Sequence, residues 1–559
     1  MGKWLGPLTV LIFLLISTLI LLPLIFLVFG AFWSGGPGER GASFTWKNVH
    51  FVYLSGSYLS PLLNTLKIAF LTTVTAVPFG ALLAWILART NVPYRKLLEL
   101  LIIIPIFISP LIGALSWIAL GAPRSGFVNV IWTRFLGQSQ NLVNIFSLSG
   151  IVFVMFLYFV PYAYLFVVGA LKNMDPNIED ASRMLGGGVL TTMRRITFPL
   201  IKPALFSSAL LIFVLAAELF SVPTMLGTPI RIQTIPSNIY FAVDYGGGMA
   251  NEAAAAGTML FWITAGGILI YYRMVRESRR YVTISGKGYH PRIIDLGKGK
   301  FMALGVYMFY FLLSVVLPYL SLLLGSFMKY MTPDLSWQLF TLKNYRDLLL
   351  PENFLAIKNT LFLAVVGASL SVIFCILVSF VALRTKNWLG RAVDYFAMLP
   401  ISIPAIALAV GMLWAYTTLP LYLYGTIWIL LVAYMTRFLG YGVRIFSSSL
   451  VQIDPELEEA SRIAGASPYR TMWRITTPLL RPAMLSAWTM LFIFFTVEIS
   501  ASILLYTSQT ITMSVAMWNF LAMGGSINAF AIGIMQTTIV FIVLAVAYKI
   551  SGSYTVFVE

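Results

Sequence analysis

Residues 175–205 read DPNIEDASRMLGGGVLTTMRRITFPLIKPAL, and residues 454–484 read DPELEEASRIAGASPYRTMWRITTPLLRPAM. They align without a gap at an offset of 279, with 16 identities in 31 positions. A match of that length and density marks an internal duplication. Upstream the register continues at an offset of 295. There Asn64-Thr65-Leu66 matches Asn359-Thr360-Leu361, Arg89-Thr90 matches Arg384-Thr385, and Pro105 matches Pro400. The 16-residue difference puts a longer loop in the first half, at roughly 121–147.

Local signals predict how the repeated segment folds. Asp175 before Pro176 is an N-cap followed by an N1 proline, and Asp454-Pro455 repeats the pair. Glu179 and Asp180, matched by Glu458 and Glu459, sit in the first turns, where carboxylates suit the helix dipole. Gly186-Gly187-Gly188 in one copy and Gly465 in the other break that helix. Ser467-Pro468 starts a new helix in the second copy, and Pro199 and Pro478 are expected to end the second helix. The unit reads as a short helix–turn–helix with a proline-marked entry to the next apolar run. It is either a structural elbow or a docking element. Near-identical duplication favours an element that meets the same kind of partner twice.

Around these loops the chain is strongly apolar. Of 559 residues, 59% are hydrophobic and 10% charged, and the mean hydropathy is +0.88. A soluble domain carries about 25% charged residues, so an ordinary soluble enzyme, a disordered chain and a disulfide scaffold are excluded. Twelve apolar runs are long enough to cross about 30 Å of hydrocarbon. Six lie near 8–32, 60–88, 97–121, 147–171, 204–226 and 255–275. Six more lie near 301–325, 358–383, 391–417, 423–449, 483–506 and 529–550. A polar stretch at 276–300 divides them. The first run is too long for a signal-peptide core and reads as a retained span. The single cysteine, Cys375, and two histidines, His50 and His290, leave no basis for a disulfide within the chain or a histidine metal site.

The net charge of +17 then becomes an orientation. With the N-terminus in the cytoplasm, the cytoplasmic segments hold 26 of the 37 basic residues and 12 of the 20 acidic ones. That is +14 of the +17, as the positive-inside rule requires, with both termini cytoplasmic. The excess marks a lipid bilayer rather than nucleic acid as the partner. Both halves have six spans in the same orientation, so the repeat is parallel, with a pseudo-twofold axis along the membrane normal.

The repeated segment resembles the EAA loop of permease subunits of binding-protein-dependent ABC importers. The family pattern is Glu-Ala-Ala, a glycine, then Ile-x-x-Pro-Leu. One copy here has Glu179-Asp180-Ala181-Ser182, Gly186 and Ile196-Thr197-Phe198-Pro199-Leu200. The other has Glu458-Glu459-Ala460-Ser461, Gly465 and Ile475-Thr476-Thr477-Pro478-Leu479. Both depart from strict Glu-Ala-Ala at its middle positions. The resemblance implies an all-α polytopic membrane protein of about 12 transmembrane helices, formed by two type I ABC importer permease (MetI-like) domains fused head to tail. These would be residues 1–275 and 301–559, joined by a basic cytoplasmic linker at 276–300. It implies an ATPase-coupling role for Glu179, Asp180, Ala181, Gly186, Pro199, Glu458, Glu459, Ala460, Gly465 and Pro478. The implied partners are two copies of an ABC ATPase subunit, an external solute-binding protein and a small-molecule or ion substrate. The implied location is a bacterial or archaeal cytoplasmic (inner) membrane.

No phosphate-binding loop of the GxxxxGK[ST] type is present, and the pattern fails around Gly286-Lys287-Gly288. The chain is therefore expected to bind no cofactor, with ATP and Mg held by the partner ATPase. Further phrases resemble the iron(III)-type fused permeases. They include Gly121-Ala-Pro-Arg-Ser-Gly126, residues 217–227, Tyr434-Met-Thr-Arg-Phe-Leu-Gly-Tyr-Gly442 and residues 498–505. The subgroup also holds similar permeases for thiamine, phosphonates and sugar phosphates. The expected function is import of iron(III) or a related small solute. An ion- or proton-coupled secondary carrier is the alternative, and the duplicated cytoplasmic loop argues against it.

Ionisable groups inside a span are costly and mark function by default. Glu218 lies in the fifth span and Glu498 in the equivalent span, at an offset of 280. They either face a substrate pathway or are neutralised locally and fix packing. Arg437, mid-span in the tenth helix, either pairs with a glutamate, Glu498 by preference, or attracts an anion. Asp244 and Glu252 follow the fifth span outside and read as solvated. Pro105, Pro110, Pro400 and Pro404 are expected to kink the third span of each half, as ordinary membrane-helix prolines or as a hinge.

Overall fold

The structure, a computed structural model, describes residues 5–551 apart from 40, 136, 138, 139, 245–248, 279–292, 333–335 and 386. Most of the 276–300 linker, with Gly286-Lys287-Gly288 and His290, lies outside the described residues. Among the described residues there are nine helices long and apolar enough to cross a membrane. The number rises to twelve if each of three bent pairs counts as one span. Every apolar run of the sequence falls on one of these.

The bends follow proline chemistry. Arg95–Phe107 and Pro110–Gly121 meet at 96°, and Trp388–Ser402 and Ala405–Thr418 meet at 107°. The residue before a proline is pushed out of the helical region. Ser109 before Pro110 has φ −62°, ψ 132°, and Ile403 before Pro404 has φ −98°, ψ 117°. Pro110 then occupies the first position of its helix, where a missing N–H costs nothing. The kinks expected at Pro110 and Pro404 are therefore full breaks, while Pro105 and Pro400 lie inside the helical segments that precede them.

Two places differ from the sequence reading. Pro199 does not end a helix: Val189–Glu218 runs on through Pro199 and Pro203 as one 30-residue helix. In the second copy Met472–Leu479 meets Arg481–Val497 at 65°, so a break does follow Pro478. Both copies pass through a π-turn, at Met193–Thr197 and Met472–Thr476, and a third lies at Leu312–Val316. Each ends two residues before a proline, Pro199, Pro478 or Pro318. A proline in a helix cannot bond to the carbonyl four residues back, and its ring crowds that carbonyl. A wider turn relieves the crowding, and at Pro199 and Pro318 the helix continues through the proline. The second difference concerns the fifth spans. The helices stop at Glu218 and Val497, within the apolar runs, and short helices Ser221–Gly227 and Ser502–Leu505 follow.

The chain packs as two compact units. One comprises Met1–Ser57, Asn238–Phe261 and Leu342–Glu559. Here the N-terminal helix Leu5–Ala31 lies against Trp388–Met398 and Ala405–Thr418. Gly411 permits the approach, because a Cβ there would sit 2.1 Å from the Pro23 carbonyl oxygen. The other unit comprises Tyr58–Ser237 and Trp262–Thr341. Leu59–Arg89 packs along Leu148–Asn173, and both pack on Phe198–Glu218. Gly299–Phe311 joins them through buried Tyr310, whose hydroxyl donates to the Leu157 carbonyl at 2.7 Å. Each unit thus contains the first helix of the opposite repeat. The duplication and the packing partition the chain differently.

The end of the linker is tied down in the second of these units. Ile294 N–H donates to the Arg89 carbonyl at 2.8 Å, and Asn91 N–H donates to the Ile294 carbonyl at 3.1 Å. The Gly297 N–H and the Asn91 amide both donate to Asp295 and hold its carboxyl below the usual range.

The helix contact yields a test. Gly411→Ala should lower the apparent Tm of the purified protein, with overpacking costing about 1–3 kcal/mol. Gly169→Ala, where a Cβ meets nothing within 4 Å, should not. Equal melting of the two variants would contradict the packing.

Candidate functional site

The repeated loops fold alike. Helices Pro176–Met184 and Pro455–Ile463 each begin at the expected aspartate. The Asp175 carboxylate accepts the Asn177 N–H at 2.9 Å, and the Asp454 carboxylate accepts the Glu456 N–H at 3.0 Å. Each helix ends in a Schellman turn. Gly187 N–H donates to the Ser182 carbonyl at 2.9 Å, and Ala466 N–H to the Ser461 carbonyl at 3.0 Å. That turn needs a left-handed residue, and Gly186 (φ +84°) and Gly465 (φ +81°) supply it. A Cβ on either would meet nothing within 4 Å. Side-chain bonds Ser182–Thr192 (2.9 Å) and Ser461–Thr471 (3.0 Å) fold the second helix back on the first.

A buried ion pair fastens each loop to the spans. Arg89 is the last residue of Leu59–Arg89, and its Nε lies 2.9 Å from Glu179 Oε2. Arg89 Nη2 also donates to the Leu171 carbonyl at 3.0 Å, and Thr197 Oγ1 donates to Glu179 Oε1 at 2.6 Å. The second copy repeats this. Arg384, last in Pro351–Arg384, donates from Nε to Glu458 Oε1 at 3.1 Å and from Nη2 to the Ile453 carbonyl at 3.1 Å. Thr476 Oγ1 lies 3.5 Å from the same carboxylate oxygen. All four charged residues are buried. Each carboxylate is thus shared between the end of the second span and the π-turn that leads into the fifth.

The other predicted loop residues turn outward. Ala181, Gly186, Pro199, Glu459, Ala460 and Gly465 are exposed, and Asp180 and Pro478 are half-buried. Large apolar side chains stand clear beside the glycines: Met184 is 89% exposed, Leu185 90% and Ile463 89%.

Within the spans, Arg437 Nη1 and Glu498 Oε2 form a direct ion pair. Glu498 is the residue at which Arg481–Val497 stops, and it is buried. Its Oε1 accepts the Ala501 N–H at 2.8 Å. Gln536 Nε2 donates to the Thr496 carbonyl at 2.5 Å. A helix broken in lipid exposes backbone groups that must find partners. Here Glu498 and Gln536 provide two of them. The Tyr434 hydroxyl bonds Ser502 Oγ at 2.6 Å and holds the short helix Ser502–Leu505. Glu218 ends the equivalent helix and is half-buried. At the repeat offset of 279 the place of Arg437 is taken by Tyr158. Among the described residues, no group of three or more His, Cys, Asp or Glu is arranged to hold a metal ion.

The sequence singles out the two loop glutamates but not their partners. In it Arg89 and Arg384 stand only as landmarks of the repeat, and Thr197 and Thr476 only as identities within it. The available signal is a polar side chain recurring at a span end and in the loop. Only the fold brings residues 90 and 74 positions apart together.

Comparisons with known proteins agree with this architecture. The family model described as binding-protein-dependent transport system inner membrane component matches residues 76–280 and again 375–554. A protein of Haemophilus influenzae named as a putative ferric transport system permease is 31% identical over 472 residues, covering 82% of this chain and 72% of that one. The ferric transport system permease protein FbpB of Actinobacillus pleuropneumoniae is 30% identical over 481 residues, covering 84% and 68%. A solved bacterial ABC transporter that imports alginate aligns at 18% identity and TM-score 0.37, over 46% of this chain and 95% of its own. The chain belongs to the binding-protein-dependent transport system inner membrane component family, with the domain present twice. It is the permease subunit of an ABC importer, a multi-pass inner-membrane transporter that works with a solute-binding protein, and ATP hydrolysis resides in a separate subunit.

The buried pairs yield a test. Removing one partner of a buried pair costs about 3–5 kcal/mol, whereas replacing both with apolar groups is often neutral. Glu179→Met and Arg89→Met should therefore each lower apparent stability more than the double variant does, read by thermal melting in detergent. A double variant at the sum of the singles would show that the pair is not coupled.

Proposed function

We propose that this chain forms the whole transmembrane pathway of an importer for iron(III), lying in a bacterial or archaeal cytoplasmic membrane with both termini in the cytoplasm. The two loops dock two copies of an ATPase subunit, which bind ATP and Mg. The observation that carries the docking is the twin latch, in which an outward apolar turn is rigidly tied to two spans. Met184 and Leu185, and Ile463 in the other copy, suit an apolar groove on each ATPase subunit. The recurrence of one geometry suits two copies of one partner.

The latch also defines how motion is passed on. Closure of the ATPase pair on ATP draws the loops inward. Because Glu179 binds Arg89 and Thr197 together, that pull reaches Leu59–Arg89 and Val189–Glu218 at once. Glu458 passes it to Pro351–Arg384 and to the bent pair Met472–Leu479 and Arg481–Val497. Rigid movement of those spans switches the pathway from inward-open to outward-open. Glu218, Glu498 and Arg437 belong to this pathway, Glu498 and Arg437 by holding its broken helix in shape. Support for iron comes from the two relatives named for ferric transport.

Gly186→Asp with Gly465→Asp tests the docking. Aspartate tolerates a left-handed backbone better than most residues, and its Cβ meets nothing in this chain. The variant should therefore fold but lose its ATPase subunits, with uptake reduced at least roughly tenfold for each 1.4 kcal/mol of docking lost. Copurification with the ATPase and ATP-driven iron uptake in vesicles are the readouts. Normal values for both would sink the docking reading.

A further inference from the structure

An open cleft of about 330 Å³ lies beyond the break at Glu498. Its polar lining consists of Tyr240, Asp244, Tyr506, Thr507 and Ser508, with no basic side chain among the described residues that line it. The cleft sits at a repeat-related position. Helices Ile235–Asp244 and Met513–Ala522 each begin with an N–H bonded to an equivalent threonine. Ile235 N–H donates to Thr65 Oγ1 at 2.9 Å, and Met513 N–H to Thr360 Oγ1 at 2.8 Å. Tyr240 and Trp518 are each five residues further on. They touch: Trp518 Nε1 donates to the Tyr240 hydroxyl at 3.1 Å, and the rings meet edge to face at 5.5 Å. Equivalent positions of the two repeats therefore touch beside this cleft.

The donors are aimed by their neighbours. The Tyr240 hydroxyl accepts from Trp518, and Asp244 lies four residues further along the same helix. The Tyr506 hydroxyl accepts from Asn519 Nδ2 at 3.3 Å. Tyr506 immediately follows the short helix Ser502–Leu505, whose start is capped by Glu498. The Arg437–Glu498 pair therefore positions one wall of the cleft.

We infer that this cleft is a transient iron(III) site, held by the phenol oxygens of Tyr240 and Tyr506 and the carboxylate of Asp244. The inference rests on the ferric function proposed for the chain and adds a place where the ion stops. Hard cations take oxygen donors. Two phenolates and one carboxylate together carry three negative charges, which balance a trivalent ion. Each phenol gives its proton to solvent as the metal binds. An anionic solute would instead meet the Asp244 carboxylate. Binding is also kept weak, as a pathway requires. Indole and amide donors already occupy lone pairs of the two phenol oxygens.

The test uses the full-length protein in lipid nanodiscs titrated with ferric citrate. Coordination by phenolate gives a visible charge-transfer band that citrate alone does not. The wild type should develop the band, and Tyr240→Phe with Tyr506→Phe should abolish it while keeping both rings and the melting temperature. Asp244→Asn should weaken binding at least roughly tenfold. A wild type without the band, or a double variant that retains it, overturns the site. Uptake in vesicles carrying the ATPase and binding protein separates the two ideas. Wild-type iron uptake that the variants leave unchanged refutes the cleft and leaves ferric import standing. Absence of iron uptake by the wild type refutes the ferric reading and the cleft with it.

Discussion

Two buried carboxylates, Glu179 and Glu458, hold the repeated loops to the ends of two long spans. A charge buried without a partner is costly, so a short loop that buries a glutamate has to carry it to a fixed cation. Arg89 and Arg384 are fixed because each is the last residue of a long span and each also bonds a backbone carbonyl. The loop then has one position it can occupy without stranding charge. Freedom is left only at the apex, where Gly186 and Gly465 turn the chain and their apolar neighbours face outward.

The same rule, that polar groups removed from water must be paired, explains the interior. Stopping the fifth spans inside apolar sequence exposes carbonyls and amides where lipid offers no partner. In the second repeat the solution is visible. Glu498 caps the short helix Ser502–Leu505, Arg437 neutralises Glu498, and Gln536 takes the Thr496 carbonyl. At Pro199 and Pro318 the related problem of a missing donor is solved by widening one turn into a π-turn, and the helix runs on.

How much of this is legible in the residues alone depends on range. The apolar runs, the aspartate caps and the glycine turn are local, and they fall where the residues say. Pro199 misleads because the remedy for it, a π-turn just upstream, has no signature of its own. Full breaks at Pro110 and Pro404 come from their neighbours as well, since Ser109 and Ile403 must be extended. The latch is half visible. Its members recur in both copies, yet nothing in the spacing says that the end of the second span meets the loop after the fourth. The packing of Leu5–Ala31 with helices of the second repeat is likewise invisible, because it depends on Gly411 admitting a backbone carbonyl.

Where the two repeats agree and where they differ separates two demands on one chain. The latch is the same in both, down to the arginine, the glutamate, the threonine and the left-handed glycine. A partner present as identical copies would impose that sameness on each half. Deeper in the membrane the match fails: Arg437 faces Glu498 in one half, while Tyr158 stands at the equivalent place in the other. Tyr240 and Trp518 differ in the same way, one offering an oxygen and the other only an N–H to aim it. Two unfused copies would have to carry the same residue at each of these places. Fusion removes the need for them to be alike, and each half is then free to supply a different part of one site.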